Sequence, residues 1–344
     1  RLESSILQPM ASDWTVLATA SAIEDVGQAS AEMLIEAGCD IRLPKKFQTH
    51  PTAALQPLLA SVQGIYAGVD EFSAEVLASK EAAELQIISR WGVGYDSIDV
   101  AAATELGIVI TYTPGLLDEA VADYTFALLL GVARRIHTGH LSMHHGGWSQ
   151  QWGHDVHGKT LGIVGCGRIG TAVARRAAGF NMRLLAYDPF PNEAAQELGV
   201  EFVSLKTLLQ QSDYVSLHAA VTPETEDLIS APQLQHMKPN SYLINAGRGT
   251  LVNETDLAAC LNAHGIAGAA VDTYHVEPLP VDHPLHSAAN LLMSPHQASF
   301  AAETGHRVSH ACAQAIIDLK QGQRPQLVLN PEVFESPNLR AVLA

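Results

Sequence analysis

Basic residues and long apolar runs are scarce in this sequence, and each shortage argues against a class of protein. Its 344 residues hold 20 lysines and arginines against 36 aspartates and glutamates, which gives a formal net charge of −16. Such an acidic chain repels nucleic acid and anionic membranes, so we expect neither as a partner. No uninterrupted apolar run approaches the roughly 20 residues that cross a bilayer.

Cysteine is also scarce, with four residues in the whole chain and no C-x-x-C pair among them. Wide scatter favours reduced, buried thiols in a cytoplasmic protein over a disulfide framework. The four are Cys39, Cys166, Cys260 and Cys312.

What the sequence does contain is an alternation of short apolar runs with helical stretches. Its length suits two domains of ordinary size, and the alternation predicts parallel α/β sheets. Strands are predicted at 14–18, 64–67, 86–89, 108–111, 160–164, 183–187, 214–217, 242–245, 268–271 and 291–293. Helices are predicted at 29–37, 99–106, 116–136 and 302–320.

A glycine-rich turn follows the strand predicted at 160–164, and residues 165–170 read Gly-Cys-Gly-Arg-Ile-Gly before a helix-like stretch. In this context G-x-G-x-x-G binds a dinucleotide. Gly165 permits the turn, Gly167 lets the backbone approach a pyrophosphate, and Gly170 allows helix and strand to pack closely. Because the helix N-terminus then faces the phosphates, the turn supplies the predicted cofactor contacts. They are Gly165, Gly167, Arg168, Ile169 and Gly170.

Asp188 ends the next predicted strand, about 20 residues beyond the glycines, where an acid binds the adenosine ribose hydroxyls. No arginine follows it directly in Asp188-Pro189-Phe190, so a 2′-phosphate would meet an uncompensated carboxylate. The sequence therefore predicts NAD rather than NADP. Taken alone, Asp188 could equally be a turn residue before proline.

Three polar clusters follow the later strands, and they bring an arginine, an acid and a histidine to one edge of the sheet: Arg248, Glu277 and His296. The arginine fork can hold a substrate carboxylate and polarise the adjacent carbonyl. Histidine can supply or remove a proton near neutral pH, and a neighbouring carboxylate favours a protonated imidazole. Singly, each has a structural alternative: Arg248 could pair with an acid, and His296 is one of 16 histidines. Jointly they predict hydride transfer to a carbonyl.

With these motifs in order, the chain resembles the NAD-dependent D-2-hydroxyacid dehydrogenase family, nearest in style to its phosphoglycerate dehydrogenase-like members. The matching blocks run from about residue 86 to 299. They include GVGYDSID at 92–99, EAVAD at 119–123, HGKTLGIVG at 157–165, MKP at 237–239, INAGRG at 244–249, VD at 271–272, VEPL at 276–279 and SPH at 294–296.

The resemblance implies an α/β fold with two doubly wound parallel-sheet domains. A Rossmann-type NAD-binding domain at 113–298 would be inserted into a flavodoxin-like substrate domain made of 1–112 and 299–344. The family further implies a cleft that closes on substrate, and a homodimer.

The resemblance also implies roles for individual residues. His296 would be the acid/base, Glu277 its carboxylate partner, and Arg248 the cation that orients the substrate. Backbone amides of Val93 and Gly94 would cradle the substrate carboxylate. Further cofactor contacts would be Ala246, Gly247 and Asp272, with Asp272 on the nicotinamide carboxamide side.

Four positions depart from the common pattern of the family: Asp123, Asn253, Tyr112 and Gln297. None removes a catalytic group, but Tyr112 and Gln297 fall near the expected cleft and leave the substrate open. Arg90, just before the 92–99 block, could reach a phosphate or second carboxylate on a substrate. Its alternative is a surface ion pair.

We therefore expect a small 2-keto acid to be reduced to the D-2-hydroxy acid with NADH, or the reverse, with glyoxylate, hydroxypyruvate or a phosphoglycerate-like compound as substrate. Two alternatives stay open: an NAD(H)-sensing regulator or scaffold on the same fold, and a formate or phosphite dehydrogenase. Histidines crowd residues 137–157, beside glycines and tryptophans. We expect this segment to be a partner-contacting arm rather than a metal site.

Overall fold

The computed structural model describes residues 14–47 and 49–344, and the strands within them form two parallel sheets. The strands are β1 Thr15–Ala18, β2 Asp40–Arg42, β3 Gly64–Ala67, β4 Ile87–Arg90, β5 Val109–Thr111, β6 Thr160–Val164, β7 Arg183–Tyr187, β8 Glu201–Phe202, β9 Tyr214–Leu217, β10 Tyr242–Asn245, β11 Gly268–Val271 and β12 Leu291–Met293.

Helices connect most successive strands, as parallel pairing requires. They are α1 Gln28–Glu36, α2 Thr52–Leu55, α3 Ala74–Leu77, α4 Val100–Glu105, α5 Asp118–Ala133, α6 Ile136–His144, α7 Arg168–Ala177, α8 Glu193–Glu197, α9 Leu205–Gln211, α10 Ala231–Leu234, α11 Glu254–Asn262 and α12 Ala302–Lys320. Several begin at a side chain that accepts a hydrogen bond from the first turn: Ser73, Asp99, Asn192, Ser204 and Asn253. None of the helices in the described ranges is long and apolar enough to cross a membrane.

The chain divides into two compact units. The first takes in residues up to Leu117 together with Phe300–Ala344, and the second is Asp118–Ser299. The sequence predicts the domain boundaries at 112/113 and 298/299. The functions that it predicts for the two domains stay predictions.

The sheet of the first unit has the strand order β2-β1-β3-β4-β5, which is the flavodoxin-like order. All its strand pairs are parallel. Apolar residues of β1, β3, β4 and β5 are buried in a core with the helices that cover one face. The last helix, α12, returns to this unit, where Ser89 donates a hydrogen bond to the Cys312 carbonyl (3.1 Å).

The sheet of the second unit has the order β12-β11-β10-β9-β6-β7-β8. Numbered from β6, this is the 3-2-1-4-5-6 order of a Rossmann sheet with a seventh strand added at one edge. The order reverses between β6 and β9, whose carboxyl ends flank the crevice where such sheets bind ligands. The predicted fold class, two parallel-sheet α/β domains with a Rossmann nucleotide-binding domain, is confirmed.

The helix predicted at 116–136 is present as α5, but it is shorter than predicted and ends at Ala133, before a separate helix, α6, begins at Ile136. Arg135 lies in the left-handed region with φ of 53°, which a helix cannot continue through. The His154 N–H donates to the Ala133 carbonyl (2.9 Å) and so satisfies a carbonyl at the end of α5. Strands β2 and β8 were not predicted, since three and two residues are too few for an apolar pattern.

The cysteines are free thiols, as expected; three are buried and Cys260 is half-buried. Burial raises the pKa of Cys166, inside the glycine turn, to about 11, against a smaller lowering effect of the Thr171 hydroxyl. The thiol therefore stays protonated at neutral pH, which makes it a poor nucleophile.

Candidate active site

The glycine turn lies at the carboxyl end of β6, where the strand order reverses. Gly165 has φ of 85°, and a Cβ there would lie 2.4 Å from the backbone nitrogen of Ala219 beyond β9. A Cβ on Gly170 would lie 2.3 Å from the Gly165 carbonyl oxygen. Both positions therefore exclude any side chain, for the reasons of turn and packing that the motif predicts.

Gly167 differs from the other two glycines, because a Cβ built on it would meet nothing within 4 Å. It stands directly before α7 and has no side chain to cover the first N–H groups of that helix. These groups lack partners within the helix and favour an anion. Open space beside free amides is what a pyrophosphate needs, so this turn fits NAD.

The Asp188 carboxylate is fixed beside the turn. Its Oδ2 accepts a hydrogen bond from the Cys166 N–H (2.7 Å), and Oδ1 accepts one from the Phe190 N–H (2.8 Å). Asp188 therefore does act as a local turn residue. Since an ionised carboxylate has about four acceptor positions, it retains capacity for the two ribose hydroxyls as well.

His296 and Glu277 meet at the carboxyl edge of the second sheet. Nδ1 of His296 lies 2.7 Å from Oε2 of Glu277, and both side chains are partly buried. The other oxygen, Oε1, accepts a hydrogen bond from the Tyr274 N–H (2.9 Å). The pair predicted from the sequence is thus brought into direct contact by the fold.

Burial by itself raises the pKa of Glu277. The hydrogen bond and charge of His296, the Tyr274 N–H and the charge of Arg248 outweigh that effect, and together they hold the pKa below its ordinary value. Glu277 is therefore ionised at neutral pH, as an acceptor for the imidazole must be.

Asp272 holds the turn that presents His296. The His296 N–H donates to the Asp272 carbonyl (2.7 Å), and His296 itself has φ of 51°. The buried Asp272 carboxylate accepts hydrogen bonds from Ser294 Oγ (2.6 Å), the Gln297 N–H (3.0 Å) and the Ala298 N–H (2.8 Å). These contacts make Asp272 the anchor of a left-handed turn, while its predicted contact with the nicotinamide stays a prediction.

Arg248 follows β10 in a loop fixed by Asn245. The Asn245 amide donates to the Arg248 carbonyl (2.8 Å), and its Oδ1 accepts from the Gly247 N–H (3.1 Å). The Arg248 Nη1 donates to the Gly247 carbonyl (2.9 Å). Neither Asn245 nor Tyr274 was predicted as a site residue. Asn245 lies inside the INAGRG block, whereas nothing in the sequence distinguishes Tyr274, which acts through its backbone.

The family model for the NAD binding domain of D-isomer specific 2-hydroxyacid dehydrogenases matches residues 126–298, which include the glycine turn and all three catalytic candidates. The chain belongs to this family. A glyoxylate reductase of Korarchaeum cryptofilum is 45% identical over 77% of this chain and 82% of its own.

Solved structures superpose well on the chain. The TT0316 protein of Thermus thermophilus has a TM-score of 0.81 and 36% identity, and the match covers 92% of this chain and 99% of that one. D-lactate dehydrogenase from Aquifex aeolicus, complexed with NAD and lactic acid, has a TM-score of 0.76 and 26% identity over 90% and 96% of the two chains. The protein is thus an NAD-dependent oxidoreductase that acts on CH–OH groups.

Three of the four departures from the family pattern, all except Tyr112, have local contacts that account for them in this dehydrogenase. Asp123, where glutamate is usual, pairs with the Arg176 guanidinium (2.6 Å). Asn253 caps α11 through its side chain. Gln297, next to the catalytic candidate, donates to the Tyr124 hydroxyl (2.7 Å).

The predicted substrate ligands of the dehydrogenase that lie in the first unit are Arg90, the last residue of β4, and Val93 and Gly94 just beyond it. Arg90 is only 7% exposed, so it is not the surface ion pair of the alternative interpretation. Its Nε donates to the Gly94 carbonyl (2.9 Å) and its Nη1 to the Trp91 carbonyl. Contacts of Arg90 and of the Val93 and Gly94 amides with substrate stay predictions.

The histidine-rich segment of the dehydrogenase brings three of its imidazoles into contact with each other. The ring centroids of His140 and His144 lie 5.9 Å apart, and those of His144 and His145 lie 5.6 Å apart. His154 contacts the Tyr242 hydroxyl (2.7 Å) and His157 the Asn181 amide (3.0 Å). Among residues 14–47 and 49–344, no three His, Cys, Asp or Glu side chains are grouped so that they could hold a metal ion.

Proposed function

We propose that the protein reduces a small 2-keto acid to the corresponding 2-hydroxy acid with NADH, with glyoxylate as the first candidate and hydroxypyruvate as the second. The observation that carries the proposal is the 2.7 Å contact between His296 Nδ1 and Glu277 Oε2, on the same sheet edge as the dinucleotide turn. The glyoxylate reductase name of the relative with 45% identity supports the choice of substrate.

The geometry of the pair supports the following roles. Because Glu277 accepts the Nδ1–H of His296, the proton for the substrate oxygen is carried by Nε2. When bound, NADH supplies the hydride. His296 then protonates the carbonyl oxygen as it gains charge, or removes that proton in the reverse direction. Arg248 binds the substrate carboxylate with its planar fork.

Arg90 favours a small substrate over a phosphorylated one. Its guanidinium donates to the carbonyls of Gly94 and Trp91, and Arg90 is only 7% exposed, so little of the side chain is accessible to a substrate phosphate. We therefore place phosphoglycerate-like compounds below glyoxylate and hydroxypyruvate. The backbone amides of Val93 and Gly94 are the proposed ligands of the substrate carboxylate.

We also propose a homodimer in which α6 and the residues after it contact a second copy. None of the nine residues of α6 is buried, and an isolated helix this short is marginal in water. Its exposed apolar side chains continue into two exposed tryptophans; they are Ile136, Leu141, Met143, Trp148 and Trp152. Sedimentation of the wild type and of Leu141→Glu tests this proposal: a monomeric wild type would refute it.

The function is tested by NADH oxidation with glyoxylate, hydroxypyruvate, pyruvate, phenylpyruvate and phosphohydroxypyruvate, and by NAD reduction with formate and phosphite. We expect the highest kcat/KM with glyoxylate or hydroxypyruvate. Tight NADH binding without turnover of any compound would instead identify a cofactor sensor. Turnover of formate or phosphite alone would replace keto-acid reduction by that chemistry.

A further inference from the structure

The segment between β11 and β12 carries Glu277 and is largely exposed. Val276 and Val281 flank Pro278 and Pro280, and Val281 is 95% exposed. Exposed segments with few buried contacts open readily. An acid/base pair, however, tolerates errors of only about 0.5 Å. Glu277 therefore needs anchors on both sides.

A single carboxylate, that of Glu254, binds the segment on both sides of Glu277. Oε1 of Glu254 accepts a hydrogen bond from the His275 N–H (3.0 Å). Oε2 of the same residue lies 3.2 Å from Nε2 of His283. The His275 ring adds a second attachment, since its Nε2 lies 3.0 Å from the Val252 carbonyl.

The position of Glu254 in the fold suits it to hold the segment that carries Glu277. It is the first residue of α11, where the helix dipole favours a carboxylate, and its side chain is 9% exposed. The helix does not need Glu254 as a cap, because Asn253 Oδ1 accepts the Asp256 N–H (3.1 Å). A carboxylate this buried requires hydrogen-bond partners, and His275 and His283 provide them.

The contacts of Glu254 are connected to His296 through a few neighbouring residues. The His275 N–H that Glu254 holds is one residue from Tyr274, whose N–H donates to Glu277 Oε1. The other oxygen of Glu277 contacts His296. Displacement of His275 would therefore move the amide that orients the carboxylate of Glu277.

We propose that Glu254 is a positioning residue of the reaction. It clamps the segment at His275 and His283, and so keeps Glu277 aligned with His296. The inference rests on the proposed keto-acid reduction. It adds to that function a residue that touches neither substrate nor cofactor.

The test compares Glu254→Ala and Glu254→Gln with the wild type. Alanine removes both contacts, and we expect kcat to fall roughly tenfold to a hundredfold while KM for NADH is unchanged. Glutamine keeps an oxygen for the His275 N–H but loses the acceptor for His283 Nε2, because Nδ1 of His283 already accepts the Leu285 N–H. Its kcat should therefore lie between those of the alanine variant and the wild type. Amide exchange in peptides covering 273–284 should be roughly tenfold faster in the alanine variant and unchanged elsewhere.

Glu193→Ala is the matched control. Glu193 is the first residue of α8 and follows an asparagine cap, as Glu254 does, but it is exposed. We expect wild-type kcat and exchange for this variant. Wild-type kcat in Glu254→Ala would overturn the inference, as would equal losses in the alanine and glutamine variants with faster exchange throughout the second unit.

If the wild type reduces no keto acid, the proposed function fails. Amide exchange alone then tests the positioning role of Glu254. Faster exchange of residues 273–284 in Glu254→Ala supports that role, and unchanged exchange overturns it.

Discussion

Nδ1 of His296 contacts Oε2 of Glu277 at 2.7 Å while His296 itself sits in a left-handed backbone conformation with φ of 51°. A residue in this region is held there by its surroundings at a cost of about 1–3 kcal/mol. Here hydrogen bonds to the Asp272 carbonyl and carboxylate keep the backbone in this conformation. The orientation of the imidazole thus depends on a buried acid 24 positions earlier in the chain.

Replacement of His296 tests the acid/base assignment. Asparagine is the best choice, because it tolerates a positive φ better than alanine. We expect His296→Asn to lower kcat by roughly a hundredfold to ten-thousandfold, with the NADH dissociation constant from fluorescence titration unchanged. His264 is exposed and also has a positive φ of 55°, so His264→Asn is the control for the backbone. Near-normal turnover in His296→Asn would mean that another group moves the proton.

Two alanine substitutions test whether the glycine turn binds the dinucleotide. One should weaken NADH binding, and the other should lower the stability of the fold. Gly167→Ala adds a methyl group to open space, so the fold should melt normally while NADH binding weakens. Gly170→Ala places its methyl group 2.3 Å from the Gly165 carbonyl oxygen and should cost about 1–3 kcal/mol of stability. Thermal melts and NADH titration of both variants separate the two effects. Unimpaired NADH binding by Gly167→Ala would place the pyrophosphate elsewhere.

Asp188→Asn tests the choice of NAD over NADP. The amide oxygen can still accept the Cys166 N–H, but the charge that repels a 2′-phosphate is gone. Because like charges in contact cost several kcal/mol, we expect the ratio of kcat/KM for NADPH to that for NADH to rise by roughly tenfold or more. A wild type that uses both cofactors equally well would contradict the role given to Asp188.

Stability at low pH should depend on Asp213, which joins β9 to its neighbours. Burial by itself raises the pKa of Asp213, but the Lys238 ammonium (2.8 Å), the Thr160 N–H and the charge of Lys159 outweigh it and leave the pKa lowered. A lowered carboxyl pKa stabilises the fold above the unfolded value of about 3.9 and loses that effect as pH falls through the folded value. Asp213→Asn should therefore cost about 1 kcal/mol at pH 7.

The difference between Asp213→Asn and wild type should shrink below pH 3.9, the approximate pKa of an unfolded aspartate. Glu81→Gln is a control, since Glu81 pairs at 3.6 Å with a lysine whose side chain is 91% exposed, and such pairs contribute little. Thermal melts at several pH values measure both variants. A loss in Asp213→Asn that is the same at pH 7 and pH 3 would show that the ionised form is not what stabilises the fold.

Most elements of the second sheet could be predicted from the sequence. The predicted ranges of β6, β7, β9, β10, β11 and β12 equal those of the structure, because each is a short apolar run followed by turn residues. The helix predicted at 116–136 is present as α5, but its end at Ala133 could not be predicted. No local pattern shows that Arg135 turns left-handed, since the His154 N–H that binds the Ala133 carbonyl comes from further along the chain.

The glycine turn, its acid and the candidates Arg248, Glu277 and His296 could be predicted without the structure, because a strand, a tight turn and a helix N-terminus are local in the chain. How these groups are held depends on contacts that form only in the folded protein. Asp272 reaches Ala298 across 26 positions, and Glu254 reaches His275 across 21. Such hydrogen bonds exist only after parallel strands align their carboxyl ends at one edge of the sheet, and no periodicity or motif encodes which buried acid will accept which amide.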